Sequence, residues 1–328
     1  MAWRSAYLPL PSTRAPRPGS GSGNLYILGQ EADEKLAREP TQATMRVLLA
    51  LLAMLGGFPA LAAPPQLVGP LEQGGLMIGH APGVTKVKLD DAPIEVGPDG
   101  YFLIGFARKH ANRAVLALTF QDGSHWKRIL KIRSRRYATQ RIDGLEPDKV
   151  TPPPRTLARI RREVAQIRSA RAHFYKRLDF LHGFHWPAIG PVTGVYGSQR
   201  VLNGKPRRPH FGLDIAAPFG APVRAPAGGI VTMLQPDNYF SGRTLILDHG
   251  LGLTSTFMHL SASRVKLGQR VEQGQIIASV GATGRATGPH LDWRINLLAT
   301  RLDPRLLLPK NPYTPHVKAK TGMLRQSR

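Results

Sequence analysis

Between Trp186 and about Pro309, glycine returns every few residues and divides the chain into short apolar runs: "GPVTGVYGS", "GGIVTML", "GRTLILDHG", "GLTSTFMHLS", "GQRVEQGQIIASVG" and "GPHLDWRINL". None of these runs carries helical periodicity, so the segment is predicted to fold as an antiparallel β core with many hairpins. With 328 residues, 42% hydrophobic and 20% charged, the chain is long enough for a second folded unit.

That second unit is predicted between Pro64 and about Val150. "TKVKL" alternates at Thr85, Val87 and Leu89, "GPDG" precedes "YFLIGF", and Asp122-Gly123 separates "AVLALTF" from "HWKRILKI". These are strand and hairpin signals and predict a small β-sandwich-like N-terminal domain over 64–150. His80, His110 and His125 are scattered through it without ligand spacing and are assigned no role. "TPPPR" at 151–155 reads as a linker, because consecutive prolines exclude helix and ladder pairing. Beyond it Leu157, Ile160, Val164, Ile167, Phe174, Leu178 and Leu181 step by threes and fours, interrupted by Arg171. This predicts a connecting amphipathic helix within 151–185, whose other faces carry Arg155, Arg159, Arg161, Arg162, Arg168, Lys176 and Arg177. The fold class expected is therefore mainly β, in two domains joined by a helix.

A formal charge of +24 favours polyanionic partners. The targeting signal narrows them. Met45-Arg46 is followed by the apolar run Val47 to Phe58 and by "PALAAPP", with Ala60 and Ala62 in small-residue cleavage positions. Residues 45–62 are thus expected to be a signal peptide, and 1–44 an extension that is disordered or not translated, with translation starting at Met45. An exported, periplasmic protein has no nucleic acid to meet. The basic helix would then face an anionic envelope polymer, a membrane surface or an acidic regulatory protein. Residues 310–328 read as a disordered basic tail. With no cysteine in the chain, any metal must be held by nitrogen and oxygen.

The chemistry concentrates in three places. His210 and Asp214 lie in "HFGLD", His259 in "TFMHLS", and His290 with Asp292 in "GPHLDW". Residues two apart on a strand project to the same face, so His290 and Asp292 can reach one site. A hydrolytic zinc centre needs three N/O ligands and an open position, with imidazoles nearby to move protons. These residue types meet that need.

The stretches "HFGLDIAAPFGAPVRAPAGGIV", "LDHGLGLTSTFMHLS" and "VKLGQRVEQGQIIASVGATGRATGPHLDW" closely resemble the M23 (LytM, lysostaphin-like) zinc metallopeptidases, which cut the cross-linking peptides of bacterial peptidoglycan. The likeness covers about 186–309. It implies a C-terminal LytM-type metallopeptidase domain in which His210 and Asp214 are ligands of one Zn²⁺, and His259 and His290 are catalytic. The family's third ligand is the second histidine of H-x-H, and here that position is Asp292. Aspartate is a legitimate zinc ligand, although carboxylate enrichment also suits Mn²⁺ or another divalent ion. The alternative is a degenerate LytM-domain protein that binds cell wall and activates a separate amidase. "VKLGQRVEQGQIIASVG" also resembles lipoyl and biotinyl carrier segments, but neither the "GATGRATG" turn nor "RAPAGGIV" holds the lysine a carrier needs. His249, His173, His182 and His185 are expected to be structural or solvated.

Overall fold

A computed structural model describes residues 64–312. The expected extension, the signal peptide and the tail from 313 onward lie outside the described residues.

The alternating N-terminal segments form β1 (Gln66–Val68), β2 (Leu76–His80), β3 (Val84–Leu89), β4 (Ala92–Ile94), β5 (Tyr101–Gly105), β6 (Arg113–Phe120) and β7 (His125–Lys131). They make two sheets, in the orders β1-β2-β5 and β4-β3-β6-β7. Strict alternation on β6 buries Ala114, Leu116, Leu118 and Phe120, which join Met77, Phe102 and Ile104 from the other sheet in one core. This is the expected sandwich. β8 (Thr139–Ile142) then leaves it, followed by the helices α1 (Pro147–Val150) and α2 (Pro154–Ala170).

α2 is shorter than the apolar spacing predicts. The expected linker at 151–155 ends early, because Pro154 and Arg155 are already helical: Pro154 is the first residue of α2, where a missing N–H leaves no hydrogen bond unmade. Its end is dictated from outside the helix: Arg171 is the C-cap, and its guanidinium is drawn inward to Thr256 Oγ1 at 2.7 Å. Phe174 and Leu178, predicted to continue the helix, instead pack on the large C-terminal core from irregular backbone. Of the helical apolar stripe only the last turns are covered, by Met233 and Ile246, while Leu157 and Val164 stay 40% and 48% exposed.

The C-terminal runs form β9 (Val192–Gly194), β10 (Gln199–Leu202), β11 (Lys205–Pro206), β12 (Leu213–Ala216), β13 (Pro222–Arg224), β14 (Gly229–Asn238), β15 (Gly242–Asp248), β16 (Leu253–Ser263), β17 (Arg270–Val271), β18 (Ile276–Val280), β19 (His290–Leu297) and β20 (Thr300–Leu302). The main sheet runs β17-β14-β15-β16-β19-β12-β9, with β13, β18 and β20 attached. β8 pairs in parallel with β10, so the chain from Thr139 onward is hydrogen-bonded to this C-terminal part. Leu213, Ile215, Leu245, Leu247, Phe257, Leu260, Leu291, Trp293 and Ile295 are fully buried in its core.

Candidate active site

Antiparallel pairing of β12 with β19 sets Asp214 opposite Asp292 and Ala216 opposite His290. On β19, Leu291, Trp293 and Ile295 enter the core, so His290, Asp292 and Arg294 share the opposite face. On β12, Asp214 lies between the core residues Leu213 and Ile215. A one-residue slip of either strand would turn its carboxylate into the apolar interior at a cost of several kcal/mol, so burial of the leucines, isoleucines and Trp293 also determines where the acids point.

His210 reaches the same place from the loop before β12. Its Nε2 lies 3.1 Å from Asp214 Oδ1 and 3.3 Å from Asp292 Oδ2. Its Nδ1 is 3.3 Å from the Val195 carbonyl. An Nδ1–H donated to that carbonyl leaves the Nε2 lone pair for the shared space, the arrangement a metal-binding imidazole needs. The ligand atoms of His210, Asp214 and Asp292 all lie within 4.8 Å of one another, and all three residues are buried. Among the described residues no other group of His, Cys, Asp or Glu is placed in this way.

Two glycines make room for the acids. A Cβ on Gly194 would overlap Asp214 Oδ2, and one on Gly212 would overlap Asp292 Oδ1. The requirement is steric, because neither backbone is left-handed.

Arginines complete the charge pattern. Arg200 Nη2 donates to Asp214 Oδ2 at 2.5 Å. Arg294 donates twice to Asp292, from Nε to Oδ1 at 3.0 Å and from Nη2 to Oδ2 at 2.7 Å. Burial opposes ionisation of Asp292, but Arg294 and His210 hold its carboxyl well below the usual carboxylate range. Burial and Asp292 push Asp214 up, yet His210 and Arg200 outweigh them and bring it below its ordinary value. Burial lowers the proton affinity of His210, and the two acids raise it more.

His259 and His290 lie alongside, their ring centroids 4.7 Å apart. His259 owes its place to a β-bulge in β16. Arg243 pairs with Leu260 while Leu245 pairs with Phe257, leaving one extra residue on β16. His259 takes φ 62, a left-handed conformation rare for histidine, and so points away from the core that Phe257 and Leu260 both enter. The loop from Ala282 to Pro289 then orients both rings. His259 Nδ1 donates to Thr283 O at 2.7 Å, and His290 Nδ1 donates to Gly288 O at 2.8 Å. Burial and the neighbouring His290 push His259 down to about 4, so it is neutral near pH 7.

The donor set fits a divalent cation. Asp214 Oδ1 is buried and, despite His210 Nε2 nearby, accepts no well-aligned hydrogen bond. The oxygens of Asp292 retain lone pairs beyond those Arg294 uses. Thus all five residues singled out in the sequence come together. The sequence reading missed Arg200, Arg294, Gly194 and the orienting carbonyls. Arg294 was legible, because it continues the two-residue step of His290 and Asp292; Arg200 and the carbonyls carry no local signal. His249 is structural, fully buried between Gly228 O at 2.6 Å and Ser255 Oγ at 2.7 Å. His80 stacks on Tyr101, away from this group.

The model of peptidase family M23 matches residues 208–304. An uncharacterized metalloprotease of Haemophilus influenzae is 41% identical over 97 residues, 30% of this chain and 20% of that one. Peptidoglycan DD-endopeptidase ShyB of Vibrio cholerae is 40% identical over 113 residues, 34% of this chain and 24% of that one. The chain therefore spans only about a fifth to a quarter of the length of these curated relatives. A crystal structure from Pseudomonas aeruginosa assigned to peptidase M23 superposes with a TM-score of 0.56 at 30% identity, covering 72% of this chain and 94% of that one.

Proposed function

Because the chain belongs to peptidase family M23, we propose that it is a metal-dependent endopeptidase that hydrolyses peptide cross-links of bacterial peptidoglycan. The observation that carries this is the convergence of His210, Asp214 and Asp292 beside two imidazoles whose Nδ1 atoms are both committed to carbonyls. The naming of the Vibrio relative as a peptidoglycan DD-endopeptidase supports the substrate class.

In this reading His210, Asp214 and Asp292 hold one divalent ion, Zn²⁺ by family likeness, with Mn²⁺ also suited to a carboxylate-rich set. The bound ion supplies a Lewis acid for the substrate carbonyl and lowers the pKa of water. The chain's own groups do the rest. With Nδ1–H engaged, His259 and His290 each offer a bare Nε2 that can take a proton from the attacking water and return it to the departing amine. Once protonated, the same atoms become hydrogen-bond donors to the developing oxyanion. Arg200 and Arg294 hold the carboxylates in one orientation while the ion is loaded.

Residues 186–309 are then the peptidase unit, to which β8 also pairs, and the sandwich of β1 to β7 is a docking or spacer module. Cell-wall substrate requires export to the periplasm behind a leader at 45–62, which N-terminal sequencing of the mature protein tests. The basic face of α2 suits an anionic envelope surface or a regulatory protein.

One observation favours the second reading, a degenerate domain that binds wall and activates an amidase: Arg294 already neutralises Asp292, as a cation substitute would. Metal analysis of protein purified without a histidine tag, with chromatography of digested sacculi, separates the two. One equivalent of metal and new muropeptides support the peptidase; no metal and no products leave only the binding role.

A further inference from the structure

The loop that orients both candidate catalytic histidines carries an arginine between its two anchoring carbonyls. Arg285 follows Thr283 by two residues and precedes Gly288 by three, and its backbone N–H is fixed to Phe240 O at 2.8 Å. Its guanidinium lies over the Phe240 ring, 4.7 Å from the centroid, and makes one long contact of 3.4 Å to Lys149 O. It is half-buried and has no carboxylate partner among the described residues.

Its surroundings sharpen that deficit. Arg200, Arg294 and Arg207 are all within electrostatic reach of Arg285, and so is Asp292, which does not bond it. Arg200 is matched by Asp214 and Arg294 by Asp292, whereas Arg207 bonds only Val150 O, Pro206 O and Thr151 Oγ1. The two acids of the site are thus already claimed by other cations, and a bound metal ion would add further positive charge. Burial and repulsion from Arg200 and Arg294 bring Arg285 down to about 10, still charged near pH 7. A half-buried guanidinium beside the candidate centre, held in place by its backbone and bonded to no carboxylate, is arranged for an anion that arrives with the substrate. Guanidinium geometry favours a carboxylate, which it can bind through two parallel hydrogen bonds.

We propose that Arg285 binds a free carboxylate of the substrate peptide beside the bond that is cut, making the site selective for acidic over amidated cross-links. This rests on the peptidase reading for the nature of the ligand. Arg285 is a binding residue here; the proton-transfer roles stay with His259 and His290.

The test uses the full chain carrying His290→Ala, so that bound peptide is not consumed. It is titrated with a fluorescently labelled D,D-linked peptide bearing a free carboxylate next to the amide, and with the same peptide as its primary amide. The acid is expected to bind at least about tenfold more tightly than the amide, in line with a hydrogen-bonded charge pair. Adding Arg285→Gln should remove that preference by weakening the acid alone, and Arg285→Lys should retain part of it. Equal or undetectable binding of acid and amide by the parent, or a preference that survives Arg285→Gln, overturns the proposal. Hydrolysis of sacculi is scored separately on the unmodified chain. Failure there with every divalent ion removes the peptidase reading, whereas an Arg285-dependent preference for the acid would still stand.

Discussion

Arg294 grips both oxygens of Asp292 from two positions along the same strand, at 3.0 and 2.7 Å. The pair occupies the face of β19 that also carries His290, so the acid standing where the family places a histidine comes with its own counter-cation. If the proposed site takes a metal, that cation would offset the extra negative charge of two carboxylates and would hold Asp292 in one orientation before the ion binds.

Removing the cation separates these roles. Arg294→Met removes the stronger of the two cationic partners of a buried carboxylate and should lower the stability of the metal-free protein by about 1–3 kcal/mol, a discounted figure because His210 still faces Asp292. Binding of a dication then relieves more strain, so Zn²⁺ should raise the melting temperature more in this variant than in the parent. Asp292→Ala should abolish the zinc-induced rise. Melting curves with and without zinc measure both; an unchanged zinc response in Asp292→Ala removes that residue from the site.

The bulge at His259 predicts an inverted stability order. Alanine at φ 62 is strained by about 1–2 kcal/mol and glycine is not, so His259→Gly should melt no lower than His259→Ala despite its smaller side chain. Both should retain metal and lose hydrolysis by about 10²- to 10⁴-fold, the usual worth of a general acid or base. A glycine variant several degrees less stable than the alanine variant would contradict the strain argument.

Gly212→Ala places a Cβ against Asp292 Oδ1. The expected loss is about 1–3 kcal/mol of stability, as for an overpacked site, together with reduced metal stoichiometry. Gly228→Ala is the control, since a Cβ there meets only ordinary contacts. Full zinc binding by Gly212→Ala, measured by elemental analysis, would refute the close approach.

His249 makes stability depend on pH. Burial pushes it down to about 4 from 6.5, so it folds neutral, while in the unfolded chain it charges near 6.5. The unfolded state therefore binds more protons between those values. His249 contributes fully above about 6.5, and its contribution falls as pH drops toward 4, by on the order of 2 kcal/mol at pH 5. In His249→Gln, whose amide can keep partners at Gly228 O and Ser255 Oγ, urea unfolding should show a shallower decline between pH 7.5 and 5. Identical slopes for the two proteins would exclude His249 as the source.

Local pattern made much of this molecule legible. Glycine-bounded alternation located the strands, and the two-residue step along β19 put His290 and Asp292 on one face before any fold was known, because side-chain direction in a strand depends only on parity. Where parity breaks, local reading fails: the bulge that aims His259 lies where β15 pairs with β16 out of step, two residue steps of β15 facing three of β16. The early end of α2 has the same origin, since Arg171 leaves helical spacing to reach Thr256 on a strand distant in sequence.

The sequence by itself determined which side chains were available for chemistry, which faces of β12 and β19 were apolar, and that any metal must be held by nitrogen and oxygen. Only the tertiary structure decided that Asp214 stands opposite Asp292, that Arg200 and Arg294 claim those acids, and that Arg285 is left without one. The reason is that charge compensation is a matter of distance in space. Arg200 and Asp214 are 14 residues apart and His210 and Asp292 are 82 apart, yet each pair meets within hydrogen-bonding range once the apolar faces of the strands are buried.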